Sequence, residues 1–383
     1  MKEKTPFFER PTVLSVISSL LCILAGLLIG FLVLLLINPA GAGDAVTSML
    51  KNFMNYPSHP AQMKYLGQTL VKTAPLLMCA LSIQFCYKVG LFNIGAAGQY
   101  VVGVGASLFG ALRLQLPWFL CLLLAMFAGA LWGAIVGFLK AFRNVNEVIS
   151  GIMLNWISLY LVNALLTPVK ELASNYTEKL GKINKGAVLP SLGLGKLFSN
   201  DPYVTIAIPL ALLIAVALWI IMNKTVFGYE LRATGLNKDA AKYAGMKEKK
   251  NIIITLVIGG MLAALGGAFF FLTDLPQWSV TQSSVPGMGF SGIAATFLGA
   301  LHPIGTIFSS FFIQHITDGG AHINMNVYPS QISDLISAII IYLCAFVLFF
   351  KFFISRRAAL RREREHTHTP PPPQNEAKGG EAA

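Results

Sequence analysis

Hydrophobic residues in this chain run in long blocks, and polar residues gather between them. A block of about 20 apolar residues is long enough to carry an α-helix across a bilayer. The pattern predicts full spans at 14–37, 67–87, 92–112, 117–139, 147–168, 203–222, 251–272 and 333–354. The first block is longer than the apolar core of a cleaved leader, so it reads as a retained span.

The stretch 287–316 is apolar too, but Gly287, Gly289, Gly292, Gly299 and the Leu-His-Pro-Ile-Gly sequence at 301–305 interrupt it. Two half-helices around a turn fit those breaks better than one straight span. Broken backbone survives at membrane depth only inside protein or beside a wet cavity. The expected fold is therefore all-α: a polytopic membrane bundle of about eight full spans plus a broken re-entrant pair, 8–10 crossings in all.

Charge orients the bundle. With the N-terminus inside and the chain alternating, cytoplasmic segments hold 20 of the 29 Lys and Arg, and the outside and adjoining span ends hold nine. Cytoplasmic loops carry such an excess. Counting 287–316 as a pair returns Arg356, Arg357, Arg361, Arg362 and Arg364 to the inside; counting it as one span does not. Both termini are then cytoplasmic. The organisation expected is an N-terminal segment 1–13, a membrane domain 14–354 with a cytoplasmic segment at 223–250, and a tail 355–383. That tail is basic and then proline-rich, a composition that cannot bury a core.

Composition agrees. Of 383 residues, 55% are hydrophobic and only 12% charged, about half the charged share of a soluble domain. The net charge of +12 is spread between apolar segments, which points to lipid head groups rather than nucleic acid. Cys22, Cys79, Cys86, Cys121 and Cys344 lie in or beside apolar runs without a CxxC pair, and read as small buried residues. Ala125, Gly129, Gly133 and Gly137 recur every four residues on one helix face, as close helix packing requires. Gly26 with Gly30, and Ala263 with Gly267, repeat the spacing.

The chemistry that is missing narrows the function. No G-x-x-x-x-G-K-[ST] loop for ATP occurs, nor any H-E-x-x-H, G-x-S-x-G or metal-spaced cluster. No catalytic residue, cofactor or metal is assigned, and no enzyme is expected. All 17 acidic residues lie outside the middle of the spans, the nearest being Glu147, Asp274, Asp318 and Asp334. Ion-coupled carriers commonly place an ionisable group at mid-membrane, so this chain draws its energy from elsewhere. The segment 223–250 contains Asp239–Tyr243, a helix-favouring run between Gly235 and Gly245. Read alone, it is either a solvated basic loop or a hinged element that passes on movement.

Four blocks decide between these. Gly90-Leu-Phe-Asn-Ile-Gly-Ala-Ala-Gly-Gln99 resembles the GLFNIGAEGQ sequence of ATP-binding-cassette permeases for nucleosides and simple sugars. Asn146-Glu-Val-Ile149 with Ile152-Met-Leu-Asn155 resembles the following NEVI and IMLN. Gly228–Gly235 through Ala240–Gly245 is similar to that family's cytoplasmic coupling segment, and 289–305 to its late glycine-rich block. Together they cover about 67–345. Ala97 stands where the family commonly has Glu, which withdraws any carboxylate role there.

The resemblance implies a bacterial cell-membrane importer. This chain would pair with a second permease subunit, two ATP-binding subunits would dock below, and an extracellular substrate-binding lipoprotein would deliver a small molecule. Arg232, Gly235, Asp239, Ala240, Ala241, Tyr243 and Gly245 are the expected coupling residues: small ones permit close docking, charged ones fix register. Asn93, Gln99, Asn155 and Trp156 are the expected pathway residues, since amides hydrogen-bond sugars and base edges and an aromatic stacks on a base. A nucleoside is the expected substrate. A simple-sugar permease and an ion-coupled secondary carrier are the alternatives.

Overall fold

The computed structural model describes residues 11–324 and individual positions between 327 and 357. Within that range the chain is a helical bundle whose β-structure is limited to single bridges at Lys170–Thr177 and Tyr176–Ser279. The helices are α1 (Pro11–Ile37), α2 (Ala42–Lys51), α3 (His59–Tyr87), α4 (Ala96–Leu112), α5 (Trp118–Arg143), α6 (Glu147–Leu166) and a single turn, α7 (Leu180–Ile183). They continue as α8 (Ala207–Lys224), α9 (Val226–Leu236), α10 (Lys238–Tyr243), α11 (Glu248–Phe271), α12 (Met288–Leu298) and α13 (Pro303–Gly320).

Among the described residues, α1, α3, α5, α6, α8 and α11 are long and apolar enough to cross a membrane. The expected span at 333–354 is described only at scattered positions, and the tail 358–383 lies wholly outside the described residues. Two boundaries move. The expected 92–112 span begins only at Ala96, because Phe92–Gly95 forms a turn. The expected 67–87 span starts earlier, at His59, where Ser58 Oγ accepts from Ala61 N and a proline follows in the first turn. That is an ordinary N-cap ahead of the apolar run.

Helix α3 is the hub. Every residue from Thr73 to Cys86 is buried, as expected of a helix apolar all round. Helices α8, α11, α12 and α13 pack around it. Against α11 lies α5, and here the small-residue stripe explains itself. A Cβ on Gly133 would collide with the Leu256 carbonyl oxygen, and one on Gly129 with the Gly260 carbonyl. Lipid gives helices no hydrophobic drive to associate, so backbone approach of this kind supplies the contact.

The break is present, but only its first arm is a half-helix, since α13 has 18 residues, about 27 Å at 1.5 Å per residue. Helix α12 has 11 residues, about 16 Å at 1.5 Å per residue, or half a bilayer core. Ala300 and Leu301 turn the chain with left-handed φ of 55° and 57°, a cost of about 1–2 kcal/mol per residue. Thr306 offsets it by holding the turn to α3, its Oγ1 donating to Gln84 Oε1 at 3.0 Å.

Helix α2 was not foreseen. Its ten residues bury Ala42, Ala45 and Met49, a one-sided stripe that rests on α13, where Gly319 meets the Met49 backbone.

Candidate functional site

The turn 88–95 at the C-terminal end of α3 joins three of the sequence blocks. Asn93 and Gln99 exchange amide hydrogen bonds, Asn93 Nδ2 to Gln99 Oε1 at 2.8 Å and Gln99 Nε2 to Asn93 Oδ1 at 3.2 Å. Asn93 Nδ2 also reaches Ser82 Oγ at 2.9 Å, and Ser82 donates to the Gly259 carbonyl of α11 at 2.6 Å. Asn155, on the buried face of α6, accepts from Gly98 N at 2.7 Å and donates to the Ile94 carbonyl at 3.1 Å. All three amides are buried and paired, so in this conformation they pin the turn to α3, α6 and α11.

The second block works as a corner. Asn146 caps α6 by accepting from Val148 N at 2.8 Å, and Glu147 pairs with Lys140 of α5 at 2.7 Å.

Trp156 lies apart from the amides, on the open face of α6. It is 45% exposed, and Tyr160, one turn on, is 61% exposed. Their rings lie 6.4 Å apart with planes 25° from parallel. Beyond them Asn163 donates to the Gln282 carbonyl at 2.9 Å and accepts from Trp278 Nε1 at 2.9 Å. This fixes the depth of residues 281–287. Gly289, two residues later, packs against the Ala97 backbone, beside Gly98 and therefore midway along α6. The irregular, polar run Thr281–Gly287 thus lies beside the second half of α6, to which Asn163 ties it, and Ser283 and Ser284 are exposed. Sequence reasoning missed Tyr160, Asn163, Ser283 and Ser284; the hydrophilic Thr-Gln-Ser-Ser ahead of Pro286 was the available signal.

On the opposite side of the turn stands the 223–250 segment. It is two helices rather than a loop with one. Thr225 caps α9, its Oγ1 accepting from Gly228 N at 3.0 Å. Asn237 caps α10, accepting from Asp239 N and Ala240 N at 3.0 Å each. Gly245 has φ of +83°, a backbone suited to glycine. Gly235 is not a hinge: it lies inside α9, where a Cβ would strike the Val89 backbone. Arg232 is half-buried and donates to the Gly228 carbonyl at 3.4 Å. Ala241 is buried, whereas Asp239, Ala240 and Tyr243 face outward, Tyr243 with 94% of its surface free. Leu236, Val226 and Tyr229 are exposed nearby. Thr234 ties the segment inward, accepting from Asn251 Nδ2 of α11 at 2.9 Å.

A family model described as the branched-chain amino acid transport system permease component matches residues 65–345. The chain belongs to this permease family. The permease is 35% identical to the guanosine ABC transporter permease protein NupP of Bacillus subtilis over 85% of its own length and 92% of the relative's. It is 30% identical to the nucleoside ABC transporter permease protein NupB of Lactococcus lactis over 90% and 95%. It is also 30% identical to the glucose ABC transporter permease protein TsgB13 of Haloferax volcanii over 75% and 77%. No solved structure matches it. It is a multi-pass membrane permease subunit of the ATP-binding-cassette type, a class that works with ATP-binding subunits.

Proposed function

We propose that this permease imports nucleosides across a bacterial cell membrane, with its pathway between the open face of α6 and a second permease subunit. The carrying observation is the exposed Trp156–Tyr160 pair on the helix face that meets the polar run 281–287. A base offers a flat π-face to two such rings, and neighbouring Asn163 and serine hydroxyls suit its polar edges. The names of the two nucleoside permease relatives favour the same substrate. The glucose permease relative supports a simple sugar as second reading, for which stacked aromatics are less needed.

Exposed Asp239, Ala240 and Tyr243 would seat in the ATP-binding subunit, with Gly245 permitting the turn behind them. Movement there reaches the pathway through packed backbone. Gly235 bears on Val89 and Gly90, the turn continues to Ile94, and Ile94 is held by Asn155 of α6. An extracellular binding lipoprotein would deliver substrate to the outer loops.

The test is co-purification of the tagged permease from its native membrane. Recovery of ATP-binding subunits and a second permease is expected, with the ATP-binding subunits lost from Ala240→Glu. A chain that purifies alone and transports in vesicles without ATP would overturn the reading in favour of a secondary carrier.

A further inference from the structure

Where α8 and α13 meet the C-terminal end of α3, two cations, Lys88 and Arg232, gather beside an imidazole without a counter-ion. Lys88 ends α3, His302 precedes α13, and Arg232 of α9 is brought alongside by the Gly235–Val89 contact. The ion pairs formed among the described residues, Lys72–Asp318 and Lys140–Glu147, involve none of the three. Burial, and then the Arg232 charge, lowers the Lys88 pKa below the usual lysine range, and burial, then the Lys88 charge, lowers that of His302, which contributes an uncharged imidazole.

A second observation points to an occupant. Gln84 and Lys88 line a void with Pro303, Leu218 and Met222, of about 10 Å³, room for one oxygen-sized group. The Gln84 Nε2 is buried there with no hydrogen-bond partner, its Oε1 being taken by Thr306. An unpaired buried amide costs about 1–3 kcal/mol. The void also faces the start of the 18-residue α13, whose N-cap, His302, supplies no side-chain acceptor. Helix N-termini attract anions.

The flanks are greasy. Ile304 and, one turn on, Phe308 present an exposed apolar track on α13, Phe308 with 72% of its surface free. A cationic floor beneath an apolar track matches an amphiphile, not a free ion.

We propose that this crevice binds an anionic phospholipid of the inner leaflet. Lys88, His302 and Arg232 hold its phosphate, one oxygen meets the Gln84 amide, and an acyl chain lies along Ile304 and Phe308. Because Arg232 belongs to the coupling segment, the lipid braces that segment against α3. The inference rests on the permease reading only for membrane orientation.

Native mass spectrometry of the purified complete transporter tests it, with added phosphatidylglycerol compared with phosphatidylcholine of the same chains. Neither ATP nor nucleoside is present, so failure of the transport reading would not register here. The wild type should retain phosphatidylglycerol preferentially. Lys88→Gln should reduce that preference about fivefold, the effect of about 1 kcal/mol per charge, and His302→Ala about threefold, that of one neutral hydrogen bond. Lys88→Arg should preserve it, as should Lys249→Gln on the first turn of α11. His302 is exposed, so its variant serves even if Lys88→Gln fails to assemble. Equal retention by wild type and by both Lys88→Gln and His302→Ala would overturn the proposal. So would displacement of the lipid by millimolar inorganic phosphate, which would make the site one for free phosphate.

Discussion

Gly98 donates its backbone N–H to the Oδ1 of Asn155 at 2.7 Å, joining the first turn of α4 to the middle of α6. A Cβ on Gly98 would strike Asn155 itself, so the bond depends on glycine on one side and an amide on the other. Asparagine supplies both an acceptor for Gly98 and a donor for the Ile94 carbonyl, which aspartate or alanine does not.

Asn155→Ala therefore leaves a buried donor and a buried acceptor unmet, each costing about 1–3 kcal/mol. The detergent-solubilised permease should melt several degrees lower, and Asn155→Asp, repelled by the Ile94 carbonyl, should not restore it. A melting temperature unchanged in Asn155→Ala would refute this account of the turn.

The α5–α11 contact predicts a graded series. On Gly137 a new Cβ meets Ile253 Cα at 3.0 Å, whereas on Gly133 it collides with the Leu256 carbonyl. Gly133→Ala should cost more than Gly137→Ala, and Gly133→Leu should abolish accumulation of folded protein, since overpacking beyond about 3 kcal/mol exceeds what the site can absorb. Fluorescence-detected size exclusion measures the order.

Lys72 of α3 pairs with Asp318 of α13 at 2.8 Å, and Gln314 donates to the same carboxylate oxygen at 3.0 Å. Asp318 is the more enclosed partner, so Lys72→Met, which strands it, should destabilise more than the double replacement Lys72→Met with Asp318→Asn. The coupling read from the double-mutant cycle should be about 1–3 kcal/mol. Additive single effects would show that the pair does not hold the second arm of the broken helix.

Ser284→Cys tests whether the run 281–287 borders the proposed pathway. In a Cys344→Ser background, a membrane-impermeant maleimide should label it from outside in the assembled transporter, and a nucleoside should slow the reaction. The same substitution at Leu213, on the outer apolar face of α8, should stay unlabelled. Cys22, Cys79, Cys86 and Cys121 are buried and give little background.

Much of this was legible in the sequence, for physical reasons. Blocks of about 20 apolar residues leave few alternatives to a membrane helix, and glycines with Leu-His-Pro-Ile-Gly announced the break that Ala300 and Leu301 make. The small stripe from Ala125 to Gly137 stated its own packing. What could not be read was which polar side chains are spent on structure. Asn93, Gln99 and Asn155 satisfy one another or the backbone across positions far apart in the chain, which no local pattern reveals. Trp156 shares its helix with Asn155 yet faces the other way, a difference of 100° that only the packed neighbours decide. Gly235 looked like a hinge from its spacing, but Val89 turns it into a contact.

The most direct measurement is uptake of radiolabelled guanosine and uridine by proteoliposomes holding the permease with its co-purifying subunits, with glucose and ribose as competitors. Nucleoside accumulation that requires ATP, is unaffected by excess sugar and falls at least about tenfold in Tyr160→Ala, roughly the 1.4 kcal/mol of a lost stacking contact, is the result predicted. Accumulation of glucose or ribose in place of nucleoside, or nucleoside uptake driven by an ion gradient without ATP, would contradict it.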